Sequence, residues 1–141
     1  MRKSIHSVVY ETMAQVKVRG EPTVSLLAEL RYRTADPYAV CLSLGVPLAT
    51  PIDWFFARSL LTEGLHLSVG TGDVLVIPRR RGHPACVRIV LRARAQEAAV
   101  DIEMSAVSAF LLRTLTLVPE GKEGAHVDLD RTVADLLEEA E

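Results

Sequence analysis

The chain has 141 residues, 49% hydrophobic and 24% charged, with a formal net charge of −2 and a pI of about 6.1. That size and balance fit one soluble globular domain with ample apolar surface to bury, and they exclude wholesale disorder. Near-neutral charge gives no single-sign field for nucleic acid or anionic lipid, and an aromatic content of 5% argues against a base-stacking platform.

In chain order, Val8, Tyr10, Ala14, Val16 and Val18 share one parity while Glu11, Gln15, Lys17 and Arg19 share the other, so a strand from Ile5 to Arg19 buries one face. Gly20-Glu21-Pro22 breaks it. The next strand alternates Val24, Leu26, Ala28, Leu30 and Tyr32 with Ser25, Glu29, Arg31 and Arg33. Thr34-Ala35-Asp36-Pro37 reads as a turn, in which Asp bonds its own backbone and Pro fixes φ. A third strand runs from Tyr38 to Leu44. Pro51 to Phe56 fits either a fourth strand or a helix start, with aromatic and β-branched content favouring the strand. Leu60, Leu61 and Leu65 then recur at helical spacing, giving a short helix over Ala57–Glu63 with Gly64 as its stop.

Gly70-Thr71-Gly72-Asp73 reads as a tight turn, followed by a fifth strand over Val74–Pro78 and a polar hairpin loop over Arg79–Pro84. Ala85–Ala93 and Gln96–Met104 are the sixth and seventh strands. Glu97, Asp101 and Glu103 on the latter suit cross-strand pairing with Arg88 and Arg92 on the former. The period then changes to 3.6. Ser105 is placed to cap a helix carrying Val107, Phe110, Leu111, Leu115 and Val118, which Pro119 and Gly121 end. Glu120–Ala125 is expected as a loop, and a last helix begins at Asp128 or Asp130 with Val133, Leu136 and Leu137 on one face. Antiparallel meanders with helices to one side make an α+β domain.

Little in the sequence points to catalysis. Gly70-Thr71-Gly72 lacks the Gly-Lys-Ser/Thr ending of a phosphate loop. His6, His66, His83 and His126 are scattered with no ligand spacing, so no metal is expected. Cys41 and Cys86 lie in apolar strands and read as small hydrophobes. No nucleophile elbow is present, and no cofactor is implied. No apolar run reaches the ~18 residues of a membrane span, and the polar start lacks the apolar core of a secretion signal, so a cytoplasmic protein is expected. Two features remain as partner-binding candidates. Arg79-Arg80-Arg81 could steer an acidic partner or simply be a solvated hairpin tip. Trp54-Phe55-Phe56 could be core, but three consecutive strand residues cannot share a face. One must point away, which makes Trp54 a candidate for a subunit interface.

Leu30-Arg31-Tyr32 followed by Thr34-Ala35-Asp36-Pro37-Tyr38-Ala39-Val40 is one signature. Trp54-x-Phe56-Ala57-Arg58-x-Leu60-Leu61-x-x-Gly64-Leu65, running into Gly70-Thr71-Gly72-Asp73-Val74, is a second. Phe110-Leu111-x-Arg113-Thr114 with Val118-Pro119-x-Gly121-x-Glu123 is a third, and Asp128-Leu129-Asp130 closes the series. In this order and spacing they resemble the SsgA-like proteins of sporulating actinomycetes, over residues 24–138. The more widely distributed SsgB-like branch is favoured over the SsgA-like one. The strand ahead of Thr23 and the Pro78–Pro84 loop fall outside the matched motifs.

The resemblance implies a Whirly-like fold of two antiparallel sheets (about seven strands) with two or three helices, in one domain over 1–141 ending in a helix at 128–141. It implies a homotrimer that acts without catalysis at division septa, recruits the tubulin-like protein FtsZ and other septum proteins, and meets the membrane only through partners. Tyr32, Asp36, Pro37, Arg58, Gly70, Gly72, Asp73, Arg113 and Pro119 then serve structure, with Arg58 and Arg113 as helix-borne ion-pair partners. The alternative is a single-stranded nucleic-acid binder on the same scaffold. That reading needs Arg31, Arg33, Arg79 to Arg81, Arg88 and Arg92 on one continuous face, whereas arginines paired with Glu97, Asp101 and Glu103 favour the adaptor.

Overall fold

The computed structural model describes residues 6–45 and 52–127. Its strands are β1 (Ser7–Val18), β2 (Val24–Arg33), β3 (Ala39–Leu44), β4 (Ile52–Ala57), β5 (Val69–Thr71), β6 (Val74–Arg79), β7 (Cys86–Ala93) and β8 (Gln96–Glu103). Helix α1 spans Arg58–Glu63 and α2 spans Met104–Leu117. A third helix occupies 123–127 at the end of the described chain.

All eight strands form one antiparallel sheet in the order β4-β3-β2-β1-β8-β7-β6-β5. Two sheets of about seven strands were expected. The sheet is instead continuous because β1, the strand outside the family motifs, is long enough to join two four-stranded meanders. It pairs with β2 from Ser7 to Val16 and with β8 only from Ala14 to Val18. The joined sheet curls, so that Leu44, Ile52 and Trp54 from one meander line the same cavity of about 390 Å³ as Leu91 and Ala93 from the other.

The alternation read from the sequence sets which face is inside. Val8, Ala14 and Val16 of β1, Leu26, Ala28, Leu30 and Tyr32 of β2 and Val87, Ile89 and Leu91 of β7 share one buried core with Val107, Phe110 and Leu111 of α2. Removing each such side chain from water contributes roughly 1.5–3 kcal/mol, which makes this face the main source of stability.

Four local expectations are corrected. Gly70 and Thr71 belong to β5, the eighth strand, and only Gly72 and Asp73 turn the chain. Gly72 needs its freedom (φ +60°), whereas Gly70 is extended. A strand of three residues beginning the Gly-Thr-Gly run is too short to show a period. Ser105 does not cap α2, which starts at Met104 with Glu103 as its cap and no capping side chain. The expected loop at Glu120–Ala125 is a turn that passes into helix from 123 onward. The helix start placed at Asp128 or Asp130 lies outside the described residues. Gly64 does end α1, but with φ −65°, so left-handed freedom is not its role. A Cβ there would overlap the Val76 side chain, which shows that glycine allows α1 to close onto β6.

Candidate functional site

The family motifs converge on one buried cluster. Arg58, the first residue of α1, has 3% of its surface exposed. Its Nη1 donates to the carbonyls of Val118 at 2.8 Å and Thr114 at 3.2 Å, at the end of α2. Its Nη2 donates to Glu123 Oε2 at 2.9 Å. Its guanidinium carbon lies 4.9 Å from the centroid of the Tyr32 ring. The Thr114 carbonyl also accepts the Val118 amide, whereas the Val118 carbonyl has no backbone donor among the described residues. Both lie at the negative end of the helix dipole, so a buried guanidinium there supplies the missing hydrogen bond and the balancing charge.

The cluster extends in two directions. The Tyr32 hydroxyl donates to the Pro37 carbonyl at 2.9 Å, which fixes the Asp36-Pro37 turn to β2. Burial pushes the Tyr32 phenol up, so it stays protonated as a donor. Glu123 Oε1 accepts the Gly121 amide at 2.8 Å, closing the turn after Pro119. Glu123's own backbone amide, then Arg58, hold its carboxyl below the usual range. Tyr32, Arg58, Thr114, Val118 and Glu123, drawn from three signatures, thus form one physical unit around Arg58. The expected ion-pair role of Arg58 holds. That of Arg113 does not: its guanidinium stacks over Tyr10 at 5.3 Å, with no carboxylate partner among the described residues.

The partner-binding candidates separate. Arg79, Arg80 and Arg81 are exposed beside the β6–β7 connection. Arg80 is tethered, its Nη2 donating to the Leu65 carbonyl at 2.8 Å. Trp54 is half-buried against the core, and Phe56 is buried. Phe55 is the residue that points out, with 67% exposure. The sequence demanded one outward aromatic, and parity with the buried Phe56 was the signal that could have named it.

On the outer face, Arg88 meets Asp101 through two bonds of 2.7 and 2.8 Å. Arg92 meets Glu97 at 3.4 Å. Arg31 donates to Glu29. Glu103 stands opposite Cys86 and joins no pair among the described residues. The arginines needed for a nucleic-acid face are therefore interrupted by carboxylates. Burial pushes both thiols up, that of Cys41 and that of Cys86, leaving neither a ready thiolate. Among the described residues no group of His, Cys, Asp and Glu could hold a metal. No described helix is long and apolar enough to cross a membrane.

Comparison with known proteins gives this cluster its context. The family model described as "Streptomyces sporulation and cell division protein, SsgA" matches residues 26–123. Sporulation-specific cell division protein SsgB of Streptomyces coelicolor is 40% identical over 134 residues, covering 95% of this chain and 98% of that protein. The SsgB of Thermobifida fusca is 36% identical over 137 residues, covering 97% and 99%. The crystal structure of an SsgA-like sporulation-specific cell division protein from Thermobifida fusca superposes with a TM-score of 0.86 at 36% identity, covering 96% of this chain and 98% of that one. The chain belongs to the SsgA family of actinomycete sporulation and cell-division proteins. Within that family it is SsgB-like.

Proposed function

We propose that this chain is a non-enzymatic adaptor that helps position sporulation septa by recruiting FtsZ and promoting its assembly. The observation that carries the reading is the match to SsgB proteins over nearly the whole length of both chains. A solved SsgB structure of Streptomyces coelicolor, described by the words "Mutations in SsgB correlate to longitudinal cell division", adds support at a TM-score of 0.74 and 38% identity, covering 88% of this chain and 98% of that one. The paired outer-face arginines also favour an adaptor over a nucleic-acid binder. In this reading a homotrimer on a Whirly-like scaffold works in the cytoplasm at septa, and exposed Arg79, Arg80 and Arg81 steer encounter with acidic partners.

The test is co-sedimentation with FtsZ and GTP at low and high salt, with a single-stranded oligonucleotide as a parallel ligand. More polymer, with this chain in the pellet and no oligonucleotide shift, is the expected result. No effect on FtsZ together with a salt-sensitive oligonucleotide shift would replace the adaptor with the nucleic-acid reading.

A further inference from the structure

A sheet that is not a closed barrel has two edges, and here they differ. The β5 edge is three residues long and lies beside α1. The β4 edge is six residues long. The backbone amide of Arg58 donates to the Tyr38 carbonyl at 2.7 Å, which fixes the parity of the β3–β4 ladder. Phe56, Trp54 and Ile52 exchange bonds with β3, so the amides of Asp53, Phe55 and Ala57 and the carbonyls of Asp53 and Phe55 point away from the sheet. Among the described residues these groups have no backbone partner.

Soluble proteins normally blunt such an edge with lysine, proline, a bulge or a covering element. Strand β4 contains neither lysine nor proline, its ladder with β3 is unbroken, and it leaves Ile52 46% and Phe55 67% exposed. A groove of about 290 Å³ runs along it, lined by Trp54, Phe56, Leu60 and Val74, with Asp73 at the far side. Asp53 and Asp73 are both exposed, and neither takes part in an ion pair among the described residues.

We propose that the β4 edge is a docking site that takes an extended segment of a partner protein as an added strand. The backbone of that segment completes the ladder through Asp53, Phe55 and Ala57. Its inward side chains are apolar, facing Trp54 and Val74. Its outward side chains put a bulky apolar residue beside Phe55 and a lysine or arginine two positions away, beside Asp53. The occupant is an extended segment of another protein that alternates apolar residues with a basic one beside Asp53, and the site is defined by that chemistry and the edge, so it stands apart from the FtsZ reading.

The test pans a linear dodecapeptide phage library on the wild-type chain and synthesises the enriched peptides. Expected are alternating sequences with a basic residue two places from a large apolar one. Their affinity falls about tenfold or more on Phe55→Pro, which removes one outward amide and no β3 bond, and falls less on Phe55→Thr, which keeps that amide. Bound peptide slows amide hydrogen exchange at Asp53, Phe55 and Ala57. This exchange readout on the wild type decides the matter if Phe55→Pro fails to fold. Failure to enrich any peptide, equal binding by wild type and folded Phe55→Pro, or protection confined to other strands overturns the proposal. So does a β4 edge already protected by a second copy of this chain in solution.

Discussion

Arg58 and Arg88 each hold a carboxylate at hydrogen-bonding distance, 2.9 Å to Glu123 and 2.7 Å to Asp101. Their surroundings differ. Arg58 is 3% exposed and its Glu123 partner 16%. Arg88 is 33% exposed and Asp101 23%. Around Arg58 both terminal nitrogens have built acceptors, including two helix-end carbonyls. Around Arg88 water can replace either partner. Similar pair geometry therefore carries different weight. The buried ion organises four segments and cannot be removed cheaply, while the surface pair mainly sets the register of β7 on β8.

The comparison can be broken most directly at its centre. Arg58→Met leaves the Val118 carbonyl without a donor and strips the Glu123 carboxylate of its cation, and is expected to cost about 3–5 kcal/mol in urea unfolding. A loss below about 1 kcal/mol would put Arg58 on a par with a surface residue. Glu123→Gln is next. Because the folded carboxyl titrates below its ordinary 4.5, its contribution is complete above that value and is lost as pH falls through the folded pKa. The stability gap between wild type and Glu123→Gln should therefore be full at neutral pH and close in acid. A gap that widens in acid would reverse the assigned sign.

Tyr32→Phe removes the donor to the Pro37 carbonyl and should cost about 1–2 kcal/mol, read from the shift in denaturation midpoint. An Arg88/Asp101 double-mutant cycle should give a coupling of about 0.5–1 kcal/mol that shrinks with added salt. The Arg92/Glu97 pair, with both side chains more than half exposed, should show a coupling smaller still.

Much of the fold was legible because one-sided burial imprints period two. Leu26 to Arg33 and Cys86 to Ile89 alternate in the structure as they do in the sequence. What escaped was set by tertiary contact. β5 is a strand because β6 lies beside it, and its three residues carry no pattern of their own. α2 starts before Ser105 because Met104 packs against the core and its amide donates to the Ala85 carbonyl. At the cluster, the residue types were legible and their convergence was not. Arg58 and Glu123 are far apart in sequence, and only folding reveals that the carbonyls of Thr114 and Val118 lie between them. For Arg113 the sequence suggests a carboxylate, while the structure supplies the face of Tyr10.

The staggered pairing of β1 has a kinetic side. Each meander is built from neighbours in the chain, so its hairpins can form early from local encounters. The Ala14–Val18 segment of β1 must instead find Ala98–Ile102 after most of the polypeptide has been made. Closing so large a loop for five paired residues returns little until α2 packs beneath both strands. Joining the two meanders is thus expected to be the slow step of folding. On the ribosome, the first meander waits with one flank of its longest strand bare until β8 emerges.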